Sequence, residues 1–137
     1  MRILLNVIWL AFGGIFLAAS YVVLGIVACL LIVTIPAGVA SFRLAAFALW
    51  PFGRTVVQPV NGNGAMSTLS NIIWFLLAGL WLAIGHLITA FAQALTIVGI
   101  PLALANLKMI PVTCFPFGCR IVPSGAIPHG WTPKVSL

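Results

Sequence analysis

His86 has the widest chemical range of any residue in this sequence: an imidazole inside a long apolar run, able to carry a proton, form a hydrogen bond or contact a solute at membrane depth. Gln93 and Asn106 add amides to the same half of the chain, where hydrogen bonding between helices is the plainer use for them. The 137 residues contain no Asp and no Glu, which excludes carboxylate general bases, Mg²⁺ or Ca²⁺ cages and acidic proton relays. With three Cys, two His and scattered Ser or Thr left, a nucleophile, base and orienting group cannot be assembled, and the chain is expected not to be an enzyme. Cys114, Cys119 and His129 would offer a metal three ligands at no recognised spacing, and Cys29 lies in an apolar run. The cysteines read as small apolar side chains, and neither a metal nor a cofactor is expected.

The six cations are Arg2, Arg43, Arg54, Lys108, Arg120 and Lys134. They are spread singly, without stacking aromatics, so the net charge of +6 does not point to nucleic acid. Isolated cations beside apolar stretches suit contact with anionic lipid headgroups and the orientation of a membrane protein. Arg43 and Lys108 each sit in the middle of a short apolar run, where two readings stand. Each is a lipid-facing anchor whose charge snorkels to the headgroups, or a cation lining a pore or anion site. Arg54, Arg120 and His86 join them as candidate lipid or pore contacts.

The elements that must position these groups belong to a bilayer. Hydrophobic residues make up 64% of the chain and charged ones 4%, too few to form the polar shell of a soluble domain. The apolar stretch from Ile3 to Ile35 follows Met-Arg as a signal peptide would, but it is far longer than such a segment and a related stretch returns mid-chain; it is expected to be retained.

That return is a duplication. Shifting the sequence by 65 positions aligns residues 6–57 with 71–122 without a gap, with sixteen of the fifty-two positions identical. The signature they share is Asn6, Trp9, Pro36, Pro51 and Gly53 in the first copy and Asn71, Trp74, Pro101, Pro116 and Gly118 in the second. The expected organisation is a first membrane repeat over 1–57, a polar linker over 58–70 whose Asn-Gly pairs suit an exposed turn, a second repeat over 71–122, and an irregular, mobile C-terminal tail over 123–137.

Backbone in lipid must satisfy its own hydrogen bonds, so the apolar runs are helices and the fold class is all-α integral membrane. A run of about 30 residues would make a rod of about 45 Å, against a hydrocarbon core of about 30 Å, so either one tilted crossing or a hairpin of two short arms fits. Charge decides. A single crossing per repeat splits the six cations four to two, whereas hairpins put all six on one face, as expected when Lys and Arg mark the cytoplasmic side. The reading is two hairpins turning near Ser20 and Gly85, with the termini and linker cytoplasmic. Each hairpin is followed by a short interfacial helix that opens at Pro36 or Pro101 and stops at Pro51 or Pro116. Pro111, which stands where the first copy has Ala46, should break or kink the second interfacial helix.

Asn6-Val-Ile-Trp9, the Gly99-Ile-Pro motif running through Ala105-Asn106 to Lys108, and Ala48-Leu-Trp-Pro-Phe-Gly-Arg54 resemble the YccF family of small bacterial inner-membrane proteins. The resemblance covers nearly the whole chain and its duplicated layout. It implies a bacterial cytoplasmic-membrane location and a multi-pass topology, and carries over no activity and no catalytic residue. The chain departs from the pattern at Pro111 and at Cys119, which displaces the second arginine by one place to Arg120.

Two functions fit these readings. One is a small homo-oligomeric channel or transport component, its path lined by the repeated cations and His86. The other is a non-catalytic organising or accessory subunit that binds anionic lipid and partner proteins in a larger membrane complex.

Overall fold

The computed structural model describes residues 1–137, the side chain of Val33 excepted. Each apolar run forms one long helix: α1 over Arg2–Leu30 and α3 over Ala65–Ala94. Each is followed by a shorter return arm, α2 over Ile35–Leu49 and α4 over Ile100–Cys114. Both long helices are interrupted at the same place by a π-helical turn, Leu10–Gly14 in α1 and Phe75–Gly79 in α3.

The hairpins therefore turn later than the sequence predicts. Ser20 is absorbed into α1, its hydroxyl donating to Phe16 O, and Gly85 into α3, its carbonyl accepting from Thr89 Oγ1. Neither position breaks the chain because the apolar run on both sides is equally good helix. The reversals lie at residues 31–34 and 95–99, just before each Ile-Pro. Thr34 Oγ1 donates to Ala28 O and Leu31 O in the first, and Thr96 Oγ1 ties Gln93 O to Gly99 N in the second. The proline then begins the next helix at a position where its missing N–H costs nothing.

A second difference concerns the segments read as interfacial helices. They fold back as antiparallel partners of the long helices, α2 packing on Ile15–Leu30 and α4 on Leu80–Ala94. The paired arms of the first hairpin, 16 and 15 residues long, measure about 24 and 22 Å. Pro111 leaves α4 unbroken to Cys114; lacking an N–H, it forgoes the one helical bond to the carbonyl of Leu107, an exposed residue.

The fold is also not all-α. Strand β1 (Arg54–Pro59) follows the first hairpin, β2 (Arg120–Pro123) follows the second, and β3 (Trp131–Ser136) comes from the tail. They form one antiparallel sheet in the order β2-β1-β3, with Arg54 opposite Pro123, Val57 opposite Arg120 and Pro59 opposite Trp131. The β-branched pairs Val56-Val57 and Ile121-Val122 favour strands here. The tail is thus ordered, and its last residue is tied to the first hairpin by Gly53 N donating to Leu137 O and Leu137 N to Arg54 O. The polar linker narrows to residues 60–64 between β1 and α3.

One core joins sheet and hairpins, with Val56 and Val135 packed among Trp9, Leu44, Trp74 and Met109. Outside that core the helices are apolar all round. Only 28% of the most apolar stretch of α1 and 33% of that of α3 is buried, and Phe16, Val23, Trp81, Ile88 and Phe91 face outward. Two helices of this length and composition with uncovered apolar surfaces suit a lipid solvent.

Candidate functional site

The repeated signature builds a clasp at the base of each hairpin. Asn6 Nδ2 donates to Phe52 O at 3.1 Å while its Oδ1 accepts from Phe52 N at 3.0 Å. Asn71 holds Phe117 identically, at 3.1 and 2.9 Å. One turn on, Trp9 Nε1 donates to Ala48 O at 2.6 Å and Trp74 Nε1 to Thr113 O at 2.8 Å. The indoles meet Phe52 and Phe117 edge-on at 5.9 and 6.2 Å. Gly14 and Gly79 face these rings so closely that a methyl at Gly14 would collide with the Trp9 indole. Asn, Trp, Gly and Pro-Phe-Gly recur because the amide needs a turn whose N–H and C=O point one way, and the indole needs the carbonyl at the end of the return arm. These residues hold structure.

The cations do not converge. Arg43 and Lys108 lie on exposed faces of α2 and α4; Arg43 Nη2 reaches across to Cys119 O at 2.8 Å. Arg54 is exposed on β1, Arg120 stacks on Trp131 at 4.7 Å from the ring centroid, and Lys134 Nζ donates to Phe115 O at 3.2 Å. These five stand on the return arms or around the sheet, and Arg2, at the start of α1, lies against Gly53.

The polar groups that do converge lie between the repeats. The long helices meet in opposed order, Phe12 near Gln93, Gly13 against Thr89 and Leu17 beside Gly85, so the two copies cross about their equivalent positions Tyr21 and His86. Tyr21 Oη lies 2.9 Å from His86 Nε2 and 2.6 Å from Thr113 Oγ1. His86 Nδ1 lies 2.6 Å from Asn106 Oδ1, Asn106 Nδ2 donates to Gln93 Oε1 at 2.7 Å, and Gln93 Nε2 donates to Phe12 O at 2.8 Å. That last carbonyl is available because α1 leaves helical geometry at Phe12 and Gly13, the glycine adopting φ +132°. The result is one continuous chain of six groups drawn from both copies.

Every side chain in it is fully or almost fully buried, and no buried side-chain nitrogen or oxygen among the described residues lacks a partner. The amides set its direction: Asn106 Oδ1 accepts, so His86 Nδ1 carries a hydrogen. With Nε2 bare, Tyr21 donates to it and Thr113 donates to Tyr21. With Nε2 protonated, Tyr21 turns to Thr113, and Thr113 to Met109 O at 3.0 Å. Two hydrogen-bond patterns thus satisfy the same heavy atoms, and a chain of this kind rigidifies the interface.

Sequence reasoning isolated His86, Gln93 and Asn106 but not Thr113, the Phe12 carbonyl or the function of Tyr21. A usable signal was present in the alignment of the copies: Ala28, Ser41 and Ala48 become Gln93, Asn106 and Thr113, three gains of hydrogen-bonding capacity at one end of the second hairpin and along its return arm. Gly13 is a further requirement. A Cβ there would approach Thr89 Cγ2 to 2.6 Å and sit on strained backbone, so Gly13→Ala should destabilise the fold by about 2 kcal/mol. Thermal unfolding in detergent measures this, and Thr89→Ala in the same background should recover only the steric part.

The comparisons agree with the duplicated layout. A family model described as the YccF inner membrane component domain matches residues 4–54 and again residues 69–119. The inner membrane proteins YccF of Escherichia coli (strain K12) and Shigella flexneri are each 29% identical to the chain over 130 residues, spanning 89% of it and 88% of the relative. No solved structure matches.

Proposed function

Since the chain belongs to the YccF family of inner membrane component domains, we propose that it is a non-catalytic organising subunit of the bacterial cytoplasmic membrane, seated with its sheet and both hairpin bases on the cytoplasmic side. The observation that carries this reading is the outward disposition of the charge. Arg43 and Lys108 are exposed on the return arms, while the buried polar groups between the repeats satisfy one another. The return arms α2 and α4, 15 residues each or about 22 Å, are shorter than a hydrocarbon core of about 30 Å, which suits hairpins that enter and return to one leaflet surface. The cations then meet anionic headgroups or the acidic surface of a larger complex. Neutralising both, as Arg43→Gln with Lys108→Gln, should weaken binding to phosphatidylglycerol vesicles by roughly thirtyfold, from about 1 kcal/mol per cation lost. A vesicle-flotation profile unchanged from wild type would refute the reading.

A transport role is favoured by one observation, the polar chain through Tyr21 and His86 at the crossing of the long helices. On this reading copies of the chain assemble around a path, and the His86 imidazole takes up and releases a proton at Nε2. Proton flux into liposomes that falls in His86→Gln would support it, and flux absent from the wild type would dismiss it.

A further inference from the structure

The approximate two-fold relation between the repeats makes two equivalent places where the tip half of one hairpin faces the base half of the other, and the two are not alike. In one, Gln93 and Thr89 close onto Phe12 and Gly13. In the other, the aligned residues are Ala28 and Leu24, facing Leu77 and Ala78. No amide reaches across, and Ala78 stands where α1 has its kinked glycine. Without the kink and the bridge the helices stay apart, leaving a groove of about 390 Å³ lined by Leu24, Ala28, Leu31, Ile73, Leu77 and Ala78.

We infer that this groove holds an acyl chain of a membrane phospholipid. The polar groups within it are already spent: Thr34 Oγ1 donates to Ala28 O and Leu31 O, and Trp74 Nε1 to Thr113 O. Ser70, half-buried near the start of α3, is the one other polar side chain of the lining. A ligand carrying several polar atoms finds few partners there, and an apolar groove accepts hydrocarbon. Its mouth opens between Val27, Ile73 and Leu77, exposed on the two long helices that carry the membrane reading on which this inference rests, and Leu31, exposed just past the end of α1. The occupant nearest those faces is lipid tail.

Native mass spectrometry of the full chain extracted in mild detergent, with dioleoylphosphatidylglycerol as the probe, tests this. Wild type should keep a lipid through activation that strips loosely bound lipid. Ala28→Phe and Ala78→Phe, each placing a ring in the groove, should lower the lipid-bound fraction roughly tenfold, and Leu87→Phe on the outer face should not. Thermal unfolding confirms that the variants remain folded, and either one suffices. Equal retention in both filled variants, no retained lipid in wild type, or equal binding of dihexanoylphosphatidylglycerol would overturn the inference. So would a wild-type dimer that dissociates on filling, which assigns the groove to a second copy. Recovery of wild type in the soluble fraction would sink the membrane reading and this inference together, and is read separately from the lipid count.

Discussion

Trp9→Ala is expected to cost about 4 kcal/mol of unfolding free energy, the upper range for emptying a large aromatic site. Trp9 is completely buried, its indole fills the space against Gly14 and Phe52, and its Nε1 is the partner of Ala48 O at the end of the return arm. Alanine leaves a cavity and strips that carbonyl of its donor. Trp9→Phe separates the contributions: it keeps much of the packing and loses the hydrogen bond, so it should cost about 1–2 kcal/mol. Trp74→Ala probes the same arrangement in the second hairpin, where the indole donates to Thr113 O. Chemical unfolding in mixed micelles measures all three. A loss below about 1 kcal/mol in Trp9→Ala would mean that the clasp does not hold the hairpin together.

His86→Leu should cost about 3 kcal/mol, because it leaves Asn106 Oδ1 without its donor in a site closed to water and strips Tyr21 Oη of one of its two partners, Thr113 Oγ1 remaining. Interhelical hydrogen bonds in membranes average well under 1 kcal/mol in double-mutant cycles, so most of this cost comes from the orphaned groups. That assignment has a consequence of its own. Adding Tyr21→Phe to His86→Leu removes a hydroxyl that has already lost one of its two partners, so Tyr21→Phe should cost less in the His86→Leu background than in wild type. Strict additivity of the two losses would show that the polar chain is not acting as a unit.

These expectations rest on residues that were legible in different degrees. The duplication was readable because a one-dimensional shift brings Asn6, Trp9 and Pro-Phe-Gly onto Asn71, Trp74 and Pro-Phe-Gly. The membrane class was readable because it depends on composition and run length alone. The hairpin turns were not. Ser20 and Gly85 lie midway along their runs, but nothing local breaks the helix there, and the reversal needs Thr34 or Thr96 to catch the carbonyls that the chain releases just before Ile-Pro. The strands were hidden for a similar reason: Arg54–Pro59 and Arg120–Pro123 are short, and each becomes a strand through the other, with Trp131–Ser136 completing the sheet.

Sequence by itself determined that this is a duplicated, apolar, acid-free chain of the membrane class, because composition and repetition need no third dimension. Tertiary structure alone decided what the copies do to one another. Tyr21 and His86 occupy equivalent places 65 residues apart and become partners only when the long helices cross there. The Phe12 carbonyl becomes an acceptor only when Gly13 takes a positive φ. The substitutions of Gln93 for Ala28 and Ala78 for Gly13 close one of two equivalent grooves and open the other. Hydrogen-bond partners and cavities are properties of surfaces brought into contact, and the order of residues along a chain does not state which surfaces meet.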